Sequence, residues 1–396
     1  MMNASPERAK RAEYLVFGQP LIEEAEIAEV VDTLRKGWLG TGPKVTAFEK
    51  LVADYKGVKH AVALNSCTAG LHLSCEALGL RPGDEVIVPA MTFCATVNAV
   101  VHAGATPVIA DVDPVTMNID PVDVERRVTS RTRAIIPVHF AGRPCDMDAL
   151  LAIARAHGLR IIEDCAHAIE TESRGRKAGA IGDCGVLSFY STKNIVTGEG
   201  GMVLTNDPDV AARVKIMGLH GMSQDAWKRF SDDGYKHYDV VDVGFKYNMM
   251  DLQAAIGIHQ IARVEEYWKH RERIWHLYRE ALSDLPVVLP APADWDSRHA
   301  LHLFTLRIDD SRSPVSRDAF ISAMHRRGIG TGVHYRSIPT YTVYRERYGW
   351  DPRHFPVAED IGRSTVSLPL SARLTDDDVL DVIHAVTDIL TTGQQG

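Results

Sequence analysis

The sequence predicts an α/β protein, with a large domain built on a mostly parallel sheet between helices and a smaller carboxyl-terminal α+β domain. Two observations support this prediction. From residue 59 to residue 203, short apolar runs alternate with longer segments of helical period, which is typical of a parallel sheet covered on both faces. A proline-rich break that begins at Pro286 then separates this region from a stretch of mixed pattern.

Seven runs of core-forming residues, each ending in polar or glycine residues, predict the strands. In chain order they read HAVALNS, EVIVPA, TPVIADV, RAIIPVHF, RIIEDC, CGVLSFYS and GMVLTND. Helix-like stretches such as TAGLHLSCEALGL and DMDALLAIARAHGL lie between them. Ligands of open α/β sheets bind at the carboxyl ends of the strands, so we expect the chemistry there.

The carboxyl-terminal region predicts the second domain. A long helical pattern runs from about Met249 to Leu285 and meets the break PVVLPAPADWD. The segments HLFTLRI and RRGIGTGVHY follow, and an amphipathic helix from about Thr375 to Thr391 comes last. We therefore expect a large domain over residues 1–260, including an N-terminal arm, and a small domain over residues 261–396.

Composition disfavours several classes of protein. The net charge is −8 and the basic residues are dispersed, which argues against nucleic-acid binding. The six cysteines form no C-x-x-C pair and no zinc-like spacing, so they are interpreted as reduced core residues and no metal is predicted. The N-terminus lacks the apolar segment of a signal peptide, and no window holds the roughly 18 apolar residues of a membrane span. A cytoplasmic protein without membrane association is the expectation.

The first two strand ends predict an anion site and an aromatic surface. After AVALNS the chain turns into a helix at SCTAG, where backbone N–H groups and the hydroxyls of Ser66 and Thr68 suit an anion. An ordinary helix cap would leave the same signature. After EVIVPAM, Phe93 stands at the mouth of the sheet, although an aromatic side chain there is more often part of a core.

The next strand ends supply an acid and an amine. Asp164 follows RIIE at a buried strand end, where a carboxylate needs a partner unless it is a helix cap or half of a local salt bridge. Lys193 follows CGVLSFYST, although a single lysine is usually a solvated surface charge. Together the four features are the parts that hold pyridoxal phosphate: a lysine for the Schiff base, an acid for the pyridine nitrogen, an aromatic ring to stack and a helix N-terminus for the phosphate. The glycines of TGEGG would let the backbone turn tightly and pass close to that cofactor.

Competing motifs are missing or weak. The sequence contains no G-x-x-x-x-G-K-[ST], no strand-turn-helix G-x-G-x-x-G, no G-x-S-x-G and no H-E-x-x-H. The acidic turn ADVDP could suggest a carboxylate metal site, but it is better explained as a strand end followed by a proline stop.

The chain resembles the DegT/StrS family of sugar aminotransferases, a branch of the fold-type I pyridoxal phosphate enzymes. The resemblance covers the chain from about Phe17 to the last helix. It is carried, in family order, by the segments GPKVTAFEK, SCTAGLHL, PGDEVIVPAMTFCATVNAVVHAGATPVIADVD, IIEDCAHAIE, GDCGVLSFYSTKNIVTGEGGMVLTND, GFKYNMMDLQAAIG and GIGTGVHY. It implies the fold-type I architecture, with pyridoxal 5'-phosphate as cofactor and pyridoxamine phosphate as its aminated form.

The resemblance implies a role for each matching residue. Lys193 would carry the Schiff base and move the proton, and Asp164 would pair with the pyridine nitrogen. The remaining cofactor contacts would come from Ser66, the Cys67–Thr68 backbone, Phe93, His167 near the phenolic oxygen, Ser188 and Asn248. Substrate contacts would come from Thr41, His334 and Tyr335. Asn248 matches the residue that reaches the neighbouring subunit's phosphate, which implies a homodimer with shared active sites.

Two positions depart from the family pattern, whereas the lysine expected to form the Schiff base is retained. Cys67 stands where glycine is usual, and His167 stands where many relatives have glutamine. A minority branch replaces the lysine with histidine and removes a hydroxyl from the sugar, but this sequence keeps Lys193.

The resemblance implies transfer of an amino group from glutamate to a nucleotide-linked keto-sugar, in amino-sugar or surface-glycan biosynthesis. The segment from His220 to Phe230 and the continuation YDVVDVGFKYN are similar to members that act on UDP-4-keto sugars. A dTDP-keto-sugar 3- or 4-aminotransferase for an antibiotic sugar is the alternative. A non-catalytic regulatory protein on the same fold is a different class, whose signature would be loss of the lysine or of the acid.

Overall fold

A computed structural model describes residues 11–223, 238–294 and 296–393. Its strands are β1 His60–Leu64, β2 Glu85–Pro89, β3 Thr106–Ala110, β4 Thr132–Ile135, β5 Arg160–Cys165, β6 Glu172–Ser173, β7 Arg176–Lys177, β8 Cys184–Ser188, β9 Gly201–Thr205, β10 Val287–Val288, β11 Ser297–Arg298, β12 Phe304–Ile308 and β13 Thr365–Leu368.

The helices are α1 Glu24–Lys36, α2 Pro43–Lys56, α3 Cys67–Ala77, α4 Cys94–His102, α5 Pro121–Arg127, α6 Met147–His157, α7 Pro208–Met217, α8 Asp251–Ala262, α9 Val264–Ala281, α10 Arg317–Arg326, α11 Thr342–Tyr348, α12 Pro356–Ser364 and α13 Asp376–Thr392. Short 3₁₀ turns occur at Phe140–Gly142, Ile338–Thr340 and Pro352–His354.

A seven-stranded sheet forms the centre of the fold, in the order β1-β9-β8-β5-β4-β2-β3. The strand pairs from β8 to β3 are parallel, whereas β9 runs antiparallel to both of its neighbours. Each of the seven predicted runs overlaps one of these strands, so the α/β prediction with a mostly parallel sheet is confirmed. Parallel neighbours need a long crossover, and no helix separates β8 from β9, which is why β9 reverses direction.

Helices cover both faces of this sheet. One apolar cluster includes residues of α3, α4 and α7 on one face, and two further clusters contain residues of α2 with α8 and of α5 with α6. The strands carry nearly continuous buried apolar side chains, as expected when both faces are covered.

A separate apolar cluster occupies the carboxyl-terminal part and is built from residues between 274 and 390. It surrounds a three-stranded antiparallel sheet of order β10-β12-β13. The segment from 338 to 361 instead contributes Ile338, Tyr344 and Ile361 to the first cluster. The domain boundary near residue 260 stays a prediction.

The long helical pattern from Met249 to Leu285 is two helices and not one. The break lies at Arg263, whose φ of −107° departs from helical geometry. Arg263 forms ion pairs with Glu23 and Glu26 at the start of α1. A contact with a helix so distant along the chain leaves no trace in the local apolar period.

The cysteines are thiols within the fold, as the sequence predicts. All six cysteines are unpaired; Cys67 and Cys94 are half-buried and the other four are buried. Among the helices that the structure describes, none has the length and apolarity needed to cross a membrane.

Candidate active site

The start of α3 forms an anion cradle at the end of β1. Ser66 is its N-cap, and the Ser66 hydroxyl accepts a hydrogen bond from the Ala69 N–H at 3.1 Å. The backbone N–H groups of Cys67 and Thr68 then have no partner among the described residues. Two free N–H groups at the positive end of a helix suit a phosphate.

Glycines fit the TKNIVTGEGG segment against this cradle. A Cβ on Gly201 would lie 2.3 Å from the Ser66 carbonyl carbon and 2.4 Å from the Cys67 nitrogen. Gly198 has a φ of +83°, which a side chain rarely permits. The predicted tight turn is therefore present. The absence of a side chain at Gly201 lets its backbone pass close to the cradle.

Asp164 lies at the end of β5 and is 4% exposed. Its carboxylate accepts hydrogen bonds from the Thr96 hydroxyl at 2.9 Å and from the Ala166 N–H at 3.1 Å. Burial raises the pKa of Asp164, and these donors and the Lys193 charge only partly offset that effect. A pyridinium N–H would supply the buried carboxylate with a cationic partner.

Lys193 is half-buried in the loop that follows β8. Its backbone N–H bonds to the Tyr190 carbonyl at 2.9 Å, while its amine has no hydrogen-bond partner among the described residues. Burial lowers the pKa of the amine to about 8. A lysine near neutrality is a usable nucleophile and proton carrier, which the usual solvated lysine is not.

His167 lies three residues beyond Asp164, and its proton can be located. Nδ1 accepts a hydrogen bond from the Ala141 N–H at 3.2 Å, so the ring proton must sit on Nε2. Nε2 then donates to the Tyr335 hydroxyl at 3.1 Å. Burial and the Lys193 charge lower the pKa of His167 well below its usual value, so the ring is a neutral donor.

The predicted aromatic residue is also at this mouth. Phe93 is 57% exposed, and its ring centroid lies 6.0 Å from that of Tyr335. An exposed ring beside a polar site is available to stack on a planar ligand. Tyr335 is thereby placed between Phe93 and His167, and the adjacent His334 bonds through Nδ1 to the Ser367 hydroxyl at 2.9 Å.

Three predicted contacts lie at the edges. Ser188 is half-buried at the end of β8. The Asn248 amide donates to the Thr41 hydroxyl at 2.7 Å, and that hydroxyl donates to the Met249 carbonyl. Asn248 also forms a backbone bridge with Leu64, so it is close to its own chain's cradle and not remote from it. Which subunit's phosphate it serves stays a prediction.

Sequence reasoning missed four residues behind Lys193. Asn194 bonds to Glu170 and to His302, and Glu170 forms a buried ion pair with Arg271. Asn194 could have been suspected from its place beside the lysine. The others could not, because 101 residues separate Glu170 from Arg271.

One group in the described part of the chain has metal-ligand spacing: His139, Glu163 and Cys165, all buried. Hydrogen bonds already engage Glu163, which accepts from His139 and from the backbone of Gly179, Ile181 and Gly182. These bonds hold the turn before β8 against β5. The expectation of no metal stays a prediction.

Comparison with known proteins assigns the chain to a family. The model of the DegT/DnrJ/EryC1/StrS aminotransferase family matches residues 20–387. The chain belongs to this family. The resemblance stated from the motifs is confirmed.

Relatives and solved structures agree with the family assignment. The spore coat polysaccharide biosynthesis protein SpsC of Bacillus subtilis is 47% identical over 382 residues, which cover 96% of this chain and 98% of that protein. The putative sugar aminotransferase Spr1654 from Streptococcus pneumoniae, in its PMP form, is 33% identical with a TM-score of 0.88, covering 95% of this chain and 98% of that one. Helicobacter pylori PseC, an aminotransferase of pseudoaminic acid biosynthesis, is 27% identical with a TM-score of 0.88, covering 96% and 99%.

Members of the DegT/DnrJ/EryC1/StrS family use pyridoxal phosphate, and Spr1654 has been solved in both its PLP and PMP forms. The residues present fit this cofactor. The free N–H groups of Cys67 and Thr68 suit its phosphate, the unpaired Lys193 amine suits its aldehyde, and the buried Asp164 suits its ring nitrogen. The chain is therefore a fold-type I pyridoxal phosphate aminotransferase.

Proposed function

We propose that this protein transfers an amino group from glutamate to a nucleotide-linked keto-sugar, with a UDP-4-keto sugar as the favoured acceptor. The observation that carries the proposal is the Lys193 amine, which has no hydrogen-bond partner among the described residues and has a pKa of about 8 near the buried Asp164. The similarity to SpsC, a spore coat polysaccharide biosynthesis protein, and to Spr1654, a putative sugar aminotransferase, supports a sugar as acceptor.

Bound pyridoxal phosphate supplies an electron sink that stabilises negative charge on a substrate carbon. The chain's own residues would arrange that chemistry. Lys193 would hold the cofactor covalently and, once released, would carry the proton between substrate and cofactor carbons. Asp164 would keep the ring nitrogen protonated. The Nε2–H of His167, which donates to the Tyr335 hydroxyl in this structure, would turn to the phenolic oxygen of the bound cofactor. Phe93 would stack on the ring.

The phosphate would be held by groups that the fold has already freed. The Cys67 and Thr68 N–H groups have no partner within the described part of the chain. Ser66 caps the same helix, and Ser188 ends β8. Substrate contacts are assigned to Thr41, His334 and Tyr335. Tyr335 contacts both His167 and Phe93, which supports its place beside the reacting groups.

The choice of a UDP-linked sugar comes from sequence similarity in the segment from His220 to Phe230. Most of the segment from His220 to Phe230, which suggested a UDP-linked acceptor, lies outside the described residues. A dTDP-keto-sugar 3- or 4-aminotransferase is therefore kept as the second candidate. Mass spectrometry of products from a panel of UDP- and dTDP-linked keto-sugars with glutamate would test both. Absence of an amino-sugar product across the panel would contradict the proposal.

The same assay addresses the non-catalytic alternative. A regulatory protein on this fold would be expected to lack Lys193 or Asp164, and both are present. The absorbance of the bound cofactor shows whether glutamate converts pyridoxal phosphate to pyridoxamine phosphate. Such a conversion would exclude a non-catalytic protein.

We propose further that the protein is a homodimer with shared active sites. The side chains of Ile27, Val31, Leu34 and Trp38 follow helical spacing along α1 and its C-terminal end and are all exposed. Large exposed apolar surfaces usually mark an interface. Continuity of this stripe with Thr41, which bonds to Asn248, supports a dimer contact beside the cradle.

Subunit mixing tests the shared site. Lys193→Ala should abolish catalysis, and Asn248→Ala should weaken cofactor retention because its amide donors are lost. In a mixed dimer, one of the two sites would carry both native residues if Asn248 acts across the interface, so activity should exceed that of either parent. Confirmed exchange without any gain in activity would assign Asn248 to its own subunit.

A further inference from the structure

A buried ion pair fixes the orientation of the amide that follows Lys193. Glu170 is 0% exposed and Arg271, on α9, is 1% exposed, and the Arg271 guanidinium donates to the Glu170 carboxylate in a buried ion pair. The Asn194 side-chain nitrogen donates to the Glu170 carboxylate at 2.7 Å and to the Ala300 carbonyl at 3.0 Å. Both partners can only accept, so the amide cannot be turned over without setting oxygen against oxygen.

This orientation determines the tautomer of His302. The Asn194 oxygen faces Nδ1 of His302 at 2.9 Å, and an oxygen there requires a proton on Nδ1. The other ring nitrogen, Nε2, is therefore a bare acceptor. It has no hydrogen-bond partner among the residues that the structure describes.

His302 lies against the catalytic groups. Its ring centroid is 4.3 Å from that of His167, and its exposed fraction is 5%. His167 holds its proton on Nε2 because Ala141 donates to Nδ1, so the two neighbouring rings carry opposite tautomers. Burial and the Lys193 charge lower the pKa of His302 well below its usual value, so the ring is neutral.

We propose that His302 is a substrate-contacting residue whose Nε2 accepts a hydrogen bond from a hydroxyl group of the sugar acceptor. Asn194, Glu170 and Arg271 act as positioning residues that keep this nitrogen an acceptor. The inference rests on the proposed function, since it assumes that a keto-sugar enters this site.

The two half-reactions should depend differently on His302, because their substrates carry different hydrogen-bonding groups. Glutamate presents carboxylates, which only accept hydrogen bonds, and its amine is the group that reacts. A keto-sugar presents hydroxyl donors next to its carbonyl. A bare imidazole nitrogen therefore contributes to the sugar half-reaction and contributes little to the glutamate half-reaction.

The test measures each half-reaction in single turnovers of the loaded enzyme. Wild type, His302→Phe and His302→Gln are compared with glutamate and then with whichever of dTDP-4-keto-6-deoxyglucose and its UDP counterpart the wild type aminates. The Phe variant keeps an aromatic ring beside His167 and removes the acceptor. We expect it to lose about 10- to 100-fold in the sugar half-reaction, the scale of one lost hydrogen bond to a hydroxyl, with the glutamate half-reaction within about twofold. The Gln variant, which keeps an acceptor, should recover part of the loss.

Binding of the same nucleotide sugar, measured by calorimetry, provides a readout that does not depend on turnover, and it should weaken in the Phe variant. His72→Phe is the matched control, because His72 is 4% exposed and packs against Phe245 with ring centroids 4.7 Å apart. Equal losses in both half-reactions, or no loss in either, would overturn the role of His302. A wild type that aminates no keto-sugar would instead overturn the proposed function, and this inference with it.

Glu170→Gln tests the positioning residues without touching the substrate. A neutral amide at position 170 removes one of the two acceptors that fix the Asn194 amide, while the Ala300 carbonyl remains. The orientation that presents the Asn194 oxygen to His302 is then less strongly favoured, and part of the imidazole population carries its proton on Nε2. We expect a loss that is confined to the sugar half-reaction and smaller than in His302→Phe, provided that thermal unfolding shows a folded enzyme. If the variant is unfolded, Asn194→Leu, which removes the constraint by a different route, takes its place. Unchanged selectivity between the half-reactions in the folded variant would refute the positioning role.

Discussion

Replacing Asp164 with asparagine should have opposite effects on two steps that both involve Lys193. Asp164 is 4% exposed and its hydrogen-bond donors, Thr96 and the Ala166 N–H, are neutral, so a bound pyridinium would be its cationic partner. Removing one partner of a buried charge pair costs about 3–5 kcal/mol. At about 1.4 kcal/mol per decade, the glutamate half-reaction should slow by roughly two to four orders of magnitude.

The rate at which Lys193 captures pyridoxal phosphate should instead increase near neutral pH in Asp164→Asn. The Asp164 charge raises the pKa of Lys193, while burial, the larger effect, lowers it to about 8. At pH 7 that pKa leaves roughly 300 times more neutral amine than an ordinary lysine has. Without the carboxylate the pKa of Lys193 falls further, so the rise of the capture rate with pH should shift to lower pH.

Both effects can be measured by the absorbance of the bound cofactor. Capture is followed by adding pyridoxal phosphate to cofactor-free enzyme between pH 6 and pH 9, roughly the range spanned by a lysine of lowered pKa. The half-reaction is followed in single turnovers with glutamate. Asp146→Asn is the control, because Asp146 is an exposed helix cap and asparagine caps equally well. A near wild-type turnover rate in Asp164→Asn would remove Asp164 from the mechanism, and an unchanged capture profile would refute the electrostatic coupling to Lys193.

Three further predictions follow from single contacts. Borohydride reduction of the loaded enzyme should leave the cofactor on Lys193, and peptide mapping that found it on another lysine would contradict the site. Gly201→Ala should weaken cofactor binding by about tenfold or more, since its Cβ would lie 2.3 Å from the Ser66 carbonyl carbon and displace the cradle. Titration with pyridoxal phosphate measures this, and unchanged affinity would contradict the close approach. Lys56 is 2% exposed and donates to the Ala168 and Ile169 carbonyls, and burial lowers its pKa to about 8. The pKa of Lys56 in the unfolded state is near 10.5, so between pH 8 and pH 10.5 the unfolded state binds more protons than the folded state. The free energy of unfolding of the wild type should therefore rise with pH over this range, by up to about 3 kcal/mol more than that of Lys56→Met. Denaturant unfolding at pH 8 and pH 10 would show no such difference if Lys56 were an ordinary surface lysine.

Much of the fold could be predicted because its signals are local. Each strand of the central sheet is a buried apolar run that ends at polar or glycine residues, and helices such as α3, α6 and α13 begin at a side-chain cap. The sequence has no helical segment between CGVLSFYS and GMVLTND, and this feature indicates that β9 runs antiparallel to β8. The break at Arg263 was not predictable in this way, because it depends on ion pairs with α1.

The sequence by itself determined the cofactor and predicted the principal residues that we propose to serve it. Asp164, Lys193 and the start of α3 each lie at a strand end, and strand ends of a parallel sheet meet at one edge. Only the tertiary structure decided how the protons are arranged. The tautomers of His167 and His302 depend on the Ala141 N–H and on the Asn194 amide. A residue's type states what it can donate or accept, but only its packed neighbours decide which of its atoms does so, and here those neighbours come from segments up to 108 residues away along the chain.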